Sequence, residues 1–322
     1  MPAAMPPVAS RPALVPVSPR VHAWVERSGA FGLSNAGVVA GRGEALLVDT
    51  LFDLPHTRRM LGAIASTVPV PIRRVVNTHH NGDHCWGNQL LPGAEIVGHR
   101  LCAEEMRKFP PQVLESLRLA PVDATTRPAI RALKQLMSEF DFSGITVTPP
   151  TTLVEDRLGV DVGGVRAEVV YVGPAHTAGD VIVHLPEEGV VFTGDVLFRE
   201  CAPIGWEGTY EKWIAALELV AGLGCETIVP GHGPLCGPEG ALELRDYLVF
   251  ARSEAERCFR AGLSVAEAAR KIDLGPWARW IEPGRIVFQI DRAYRELRGE
   301  PWNAPMDFLG LMDVAAELEG AR

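Results

Sequence analysis

The chain has 322 residues, 47% of them apolar and 22% charged, the composition of a globular protein long enough to bury a sizeable core. Lys and Arg number 31 against 40 Asp and Glu, a net charge of −9, so the basic face needed to bind nucleic acid or an anionic membrane is not expected. Six cysteines with no CxxC pair fit no disulfide framework, and no apolar run approaches the ~18 residues of a transmembrane helix, so a cytoplasmic protein is expected.

Residues 1–20 carry Pro2, Pro6, Pro7, Pro12, Pro16 and Pro19 with no apolar stretch behind a basic start, which predicts a loose or disordered tail rather than a signal peptide. Short β-type runs follow at 21–25, 36–40 and 45–48, separated by turns such as Gly41-Arg42-Gly43. Pro55 opens a helix to about residue 65, since a first helical turn tolerates its missing N–H. A strand at 74–77 runs straight into Thr78-His79-His80-Asn81-Gly82-Asp83-His84. Residues 99–140, rich in Leu, Met, Arg and Glu and broken by Pro110-Pro111, Pro121 and Pro128, read as a helical insertion.

Strands return at 152–154, 160–162, 167–172, 181–185 and 190–193. A helix over 210–223 then leads to a strand at 227–229 and the loop Pro230-Gly231-His232-Gly233-Pro234. After Gly237 the pattern becomes helical, with helices expected at 239–261 and 286–297 and capping-box spacing at Ser264–Glu267. The expected organisation is therefore a tail over 1–20, a core domain over 21–237 and a C-terminal helical extension over 238–322.

Four separated segments share one layout, in which a β-run ends and a His or Asp stands at its mouth beside Gly. They hold His79, Asn81, Asp83 and His84; His176 in Gly173-Pro174-Ala175-His176-Thr177-Ala178-Gly179-Asp180; Asp195 in Phe192-Thr193-Gly194-Asp195; and His232. Imidazole and carboxylate are the ligands of Zn²⁺, Fe²⁺ or Mn²⁺. Strand-end loops let a rigid sheet aim such groups at one point, and Gly allows close backbone approach.

In these motifs, their order and their spacing, the chain resembles the metallo-β-lactamase fold superfamily of metal-dependent hydrolases over about residues 21–237. The resemblance implies an α/β fold, a four-layer αβ/βα sandwich with metals at one edge between two sheets, here with a helical insertion and a C-terminal helical extension. One position departs from the family pattern. The second His of His-x-His-x-Asp-His falls on Asn81, and His80 lies one residue early and should point elsewhere. By resemblance the first metal site keeps His79, His176 and a bridging Asp195 but loses its third imidazole. The second keeps Asp83, His84, Asp195 and His232. Unequal occupancy, or a single sufficient metal, is the expectation.

The implied chemistry is hydrolysis by a metal-bound hydroxide, with Zn²⁺ the first candidate and Fe²⁺ or Mn²⁺ behind it. Asp83 would bind metal and orient the water, while Asn81 could donate its NH₂ to the scissile carbonyl or hold a water. The expected substrate is a small ester, lactone, thioester or amide. A second function uses the same atoms: His79, His176 and Asp195 make the two-His-one-carboxylate set of non-haem iron oxygenases and redox enzymes. A non-catalytic binding module is disfavoured because the second site loses no ligand.

Around the site, Asp180 is expected to buttress the His176 loop or to bond a ligand His, and Asp49 to cap a turn or support the site. Cys85 reads as a small buried residue and Cys201 as part of the pocket wall. Phe198, Trp206 and Tyr210 are candidate pocket aromatics, with core packing an equal alternative for each. In the extension, Trp277, Trp280 and Trp302 should bury against the main domain, and the mixed charges of 292–298 should face solvent. The C-terminal helices are expected to cap the site or to form a homo-oligomer face.

Overall fold

The computed structural model describes residues 12–26 and 28–320. Two β-sheets lie face to face, and each carries helices on its outer surface. The first sheet runs β1 (Ala13–Ser18), β2 (Val21–Val25), β3 (Ala36–Ala40), β4 (Ala45–Val48), β5 (Ile72–Val76), β6 (Glu95–His99) and β7 (Thr152–Val154) in spatial order. Pairing is antiparallel from β1 to β4 and parallel from β4 to β7. The second sheet is ordered β12 (Thr227–His232), β11 (Val190–Phe198), β10 (Val181–Leu185), β9 (Val165–Tyr171) and β8 (Arg157–Val162), with only β11 and β12 parallel.

The period-two pleat sorts the side chains into layers. In β4, Leu46 and Val48 enter the core between the sheets, where they meet Val183, Val190 and Phe192. Ala45 and Leu47 point the other way, toward Met60 and Ile64 of α1 (Leu54–Thr67). Every residue of β4 and β11 is buried because both faces are covered. Helix α1 starts where Asp53 accepts a hydrogen bond from His56 N at 2.7 Å, with Pro55 in the first turn. On the far side, Ile182, Val191 and Leu197 pack under α6 (Tyr210–Gly222) and α7 (Pro238–Arg260) through Trp213, Leu217 and Leu244. The result is the four-layer α/β sandwich.

Between the sheets' strands lie α2 (Gly82–Cys85), α3 (Arg100–Glu105), α4 (Gln112–Leu119) and α5 (Pro128–Leu136). The C-terminal extension supplies α8 (Val265–Lys271), α9 (Ile286–Leu297) and α10 (Phe308–Gly320), and Ser264 and Glu267 form the capping box in front of α8. Asp313 of α10 accepts from Ala129 N at 2.7 Å and pairs with Arg127, tying the insertion to the extension. No described helix is long and apolar enough to cross a membrane, and all six cysteines are free.

Three expectations are corrected. Part of the stretch read as a loose tail is β1, paired with β2; residues 1–11 of that stretch lie outside the described residues. An edge strand accommodates Pro16 because its missing N–H need not serve a second neighbour, and Ser18 and Arg20 bond Glu188 across to the second sheet. Residues 292–298 are solvated only at Leu297 and Arg298; Arg292 and Arg295 are buried, and each guanidinium reaches backbone carbonyls of neighbouring segments. Of the three tryptophans, Trp280 is buried and Trp277 half-buried, but Trp302 is exposed.

Candidate metal centre

Two donor groups lie at one end of the sandwich. His79, His176 and Asp195 form one, Asp83, His84 and His232 the other, and within each the ligand atoms lie within 4.8 Å of one another. They follow β5 and β9, lie within β11 and end β12, so each predicted segment delivers its residue to the same place. In β11 the pairing register shifts on both sides of Gly194, which turns Asp195 out of the regular pleat. Gly194, at φ 50°, and Gly231 leave the room: a Cβ on the first would strike Thr78, and one on the second would strike Asp195 Oδ1.

The histidines are oriented from behind. His176 Nδ1 lies 2.6 Å from Ile204 O, and a carbonyl only accepts, so Nδ1 carries the proton and Nε2 faces the site. His84 Nδ1 meets Asp49 Oδ2 at 2.9 Å. Thr78 Oγ1 donates to the same oxygen at 2.7 Å and therefore accepts from His79 Nδ1 at 3.1 Å. Asp49 thus orients one His of each group, and its Oδ1 also accepts from Thr78 N at 2.7 Å. It does so at φ 61°, a region Asp tolerates better than most residues. Asp49→Ala is expected to weaken metal binding about 10- to 100-fold, measured by competition with a chromophoric chelator; unchanged affinity would contradict this role.

Burial pulls His176 down to about 4 and His79 well below the usual histidine range, the latter helped by the neighbouring His84. Both rings are therefore neutral at pH 7, with bare lone pairs on Nε2. Those lone pairs face Asn81 Oδ1 at 2.8 Å from His176 and 3.1 Å from His79, and Asp195 Oδ2 at 3.3 Å and 3.7 Å. Four acceptors converge with no proton to share, the electrostatics of a cation site. Asn81 thus adds an amide oxygen to the two imidazoles and the carboxylate.

In the other group the balance is reversed. Burial disfavours charge on His84 and His232, but Asp195 and Asp83 outweigh it, holding His84 well above its usual range and His232 up to about 9. Asp195 is held well below the carboxylate range, its burial outweighed by His232, His84 and His176. Two protons therefore supply the charge that a divalent ion would supply in their place. His84 Nε2 and Asp195 Oδ1 are both buried and 3.1 Å apart, yet neither forms a hydrogen bond among the described residues. His232 Nε2 lies 3.2 Å from Asp83 Oδ2 and 3.5 Å from Asp195 Oδ2. These residues fit a metal ion in each group, with Asp195 facing both.

The surrounding residues divide. Asp180 bonds no ligand histidine; it accepts from Ala175 N, Thr177 N and Thr177 Oγ1 at 2.6–3.1 Å and braces the loop. His80 joins neither group, and burial pulls it down to about 4. Cys85 donates to His80 O and Asn81 O, and burial keeps its thiol protonated. Cys201 is buried and also lies outside both groups. Phe198 stacks on His232, with ring centroids 5.2 Å apart. Tyr210 is core and bonds Gln289 O, and half-buried Trp206 packs on Phe288 and Phe308.

Sequence reading missed Asn35, whose Nδ2 donates to Pro230 O at 2.9 Å and Gly233 O at 2.8 Å, clasping the His232 loop. It also missed Asn77 and Asn88, which bond each other and hold the α2 turn through His84 O. A polar pair, Ser34-Asn35, directly before an apolar strand was the available signal for the first.

The family model of the metallo-beta-lactamase superfamily matches residues 29–232. The linear primary-alkylsulfatase of Pseudomonas sp. (strain ATCC 19151) is 23% identical over 296 residues, covering 81% of this chain and 55% of that protein. Hydroxyacylglutathione hydrolase of Maricaulis maris (strain MCS10) is 29% identical over 159 residues, 48% of this chain and 46% of that one. A stereoselective inverting sec-alkylsulfatase from Pseudomonas sp. superposes with a TM-score of 0.69 at 17% identity, over 92% of this chain and 52% of that chain. The chain spans about half the length of these relatives. With the two donor groups at one edge of a four-layer sandwich and the family match running through all four motifs, the chain belongs to the metallo-beta-lactamase superfamily.

Proposed function

We propose that the chain is a metal-dependent hydrolase acting on an ester bond of a small organic molecule, with zinc as the first metal to test. The observation that carries this reading is the complete second group, Asp83, His84 and His232, with Asp83 at the solvent-facing edge. A bound divalent ion supplies Lewis acidity and a water acidic enough to act as nucleophile near pH 7.

The protein's own groups do the rest. Asp83 is half-buried beside buried His84 and His232, so its carboxylate accepts a hydrogen bond from the attacking water and turns that water's lone pair toward the ester. Asn81 commits Oδ1 to the His79 and His176 side, and its NH₂ has no partner among the described residues. That NH₂ donates to the substrate oxygen on which charge develops. With a cation held by His79 and His176, the amide would keep this orientation, since its NH₂ would be repelled.

Sulfate esters come first among substrates because the alkylsulfatase match extends over 81% of the chain, against 48% for hydroxyacylglutathione hydrolase. The test is a panel of alkyl sulfate, carboxylic ester, lactone, thioester, amide and β-lactam, run on zinc-loaded protein with and without oxygen. Oxygen-independent hydrolysis of an ester, abolished by chelator and restored by zinc, is the expected result. Ferrous-dependent oxygen uptake with no hydrolysis would overturn the reading in favour of an oxygenase built on His79, His176 and Asp195.

A further inference from the structure

Helix α9 presents an unusual polar face to the interior. Arg285 at its start, Gln289 and Arg292 follow i, i+4, i+7 spacing, one stripe of a helix, and all three are buried. Each donates to a backbone carbonyl of the irregular stretch 202–207 after β11. Arg285 reaches Ala202 O at 3.1 Å and Gln289 reaches Pro203 O at 3.2 Å. Arg292 bonds Glu207 O and also Ala175 O, the latter at 3.0 Å and next to His176.

Arg292 is 2% exposed and has no ion pair among the described residues; its guanidinium lies 5.2 Å from the centre of the Trp213 ring. A buried cation held by carbonyls alone is costly, so its retention asks for a use. Gly205 leaves the passage for it, because a Cβ there would run into the guanidinium. Stretch 202–207 has one visible task at the site: Ile204 O accepts the His176 Nδ1 proton at 2.6 Å. The contact runs both ways, since Trp206 N and Glu207 N donate back to His176 O at 3.0 and 3.2 Å. Glu207 Oε2 also accepts from Ala178 N at 2.7 Å.

We propose that α9 belongs to the metal centre: Arg292, with Gln289 and Arg285, positions Ile204 O and so fixes the orientation of His176 in the first donor group. These are positioning residues, none of which touches substrate. The inference rests on the metal-dependent reading above. It predicts that the C-terminal extension governs the group containing Asn81 and leaves the Asp83, His84 and His232 group alone.

The experiment compares full-length wild type with Arg292→Lys, Gln289→Leu and the control Arg295→Met. Arg295 is a buried arginine of the same helix, but it bonds Asp291 and Ala304 O, away from 202–207. Zinc is titrated against a chelator, and anomalous diffraction locates each ion. The expected result is a loss of affinity of about tenfold or more for zinc at His79 and His176 in the first two variants. The second ion should be unchanged in both, and both ions unchanged in Arg295→Met. If Arg292→Lys fails to fold, Gln289→Leu decides alone. Unchanged first-site affinity, or equal weakening at both sites in all three variants, would overturn the proposal. A wild-type chain that binds no zinc, cobalt or iron would overturn the metal reading as well, an outcome distinct from the other two.

Discussion

Asp195→Ala is expected to strip both metal ions and to abolish turnover. Asp195 turns an oxygen toward each donor group: Oδ1 lies 3.1 Å from His84 Nε2, and Oδ2 lies 3.3 Å from His176 Nε2. It is also buried among four histidines, where removing one member of a charged cluster costs ~3–5 kcal/mol. In affinity that is roughly 10²- to 10⁴-fold for each ion it faces. Asp195→Asn keeps the shape and loses the charge, so it separates electrostatics from packing and should fail nearly as badly. Metal content of the purified variants checks this, and Asp195→Ala retaining two ions would refute the bridging position.

The second large effect is expected at Asn81. Asn81→His returns an imidazole to the point where Oδ1 now stands between His79 and His176, and imidazole is the better donor to a transition metal, so the first ion should bind about tenfold tighter or more. Turnover should move the opposite way, because a coordinated ring has no NH₂ to offer the substrate oxygen. Metal affinity rising while kcat falls is therefore the signature. Both quantities falling would mean that the amide is a required metal donor; both rising would mean that it has no part in catalysis.

The donor residues were legible because each sits in a short motif beside glycine, where local residues specify the backbone path. The strands were equally plain: β3 and β4 are continuous apolar runs, and β2 and β10 are apolar but for one histidine each. β11 was read too short, at 190–193, since nothing local announces that a strand will continue through an irregular register past Asp195. The supports of the site were illegible for a different reason. Asn35 bonds residues 195 and 198 positions away, and Arg292 bonds Ala175 across 117. Periodicity describes a helix's faces but not what lies beyond them, so Arg292 and Arg295 of α9 read as surface although both are buried. Pro16 misled in the same way, a breaker by local rule that an edge strand tolerates.

We propose that the two donor groups are unequal, one complete with Asp83, His84 and His232, the other completed by the weak amide oxygen of Asn81. The most direct test is stepwise chelation of the zinc-loaded wild-type chain, with anomalous diffraction at each stage. The account predicts that the ion between His79 and His176 leaves first while the ion at Asp83, His84 and His232 stays. Two equivalents of equal affinity, released together, would contradict it.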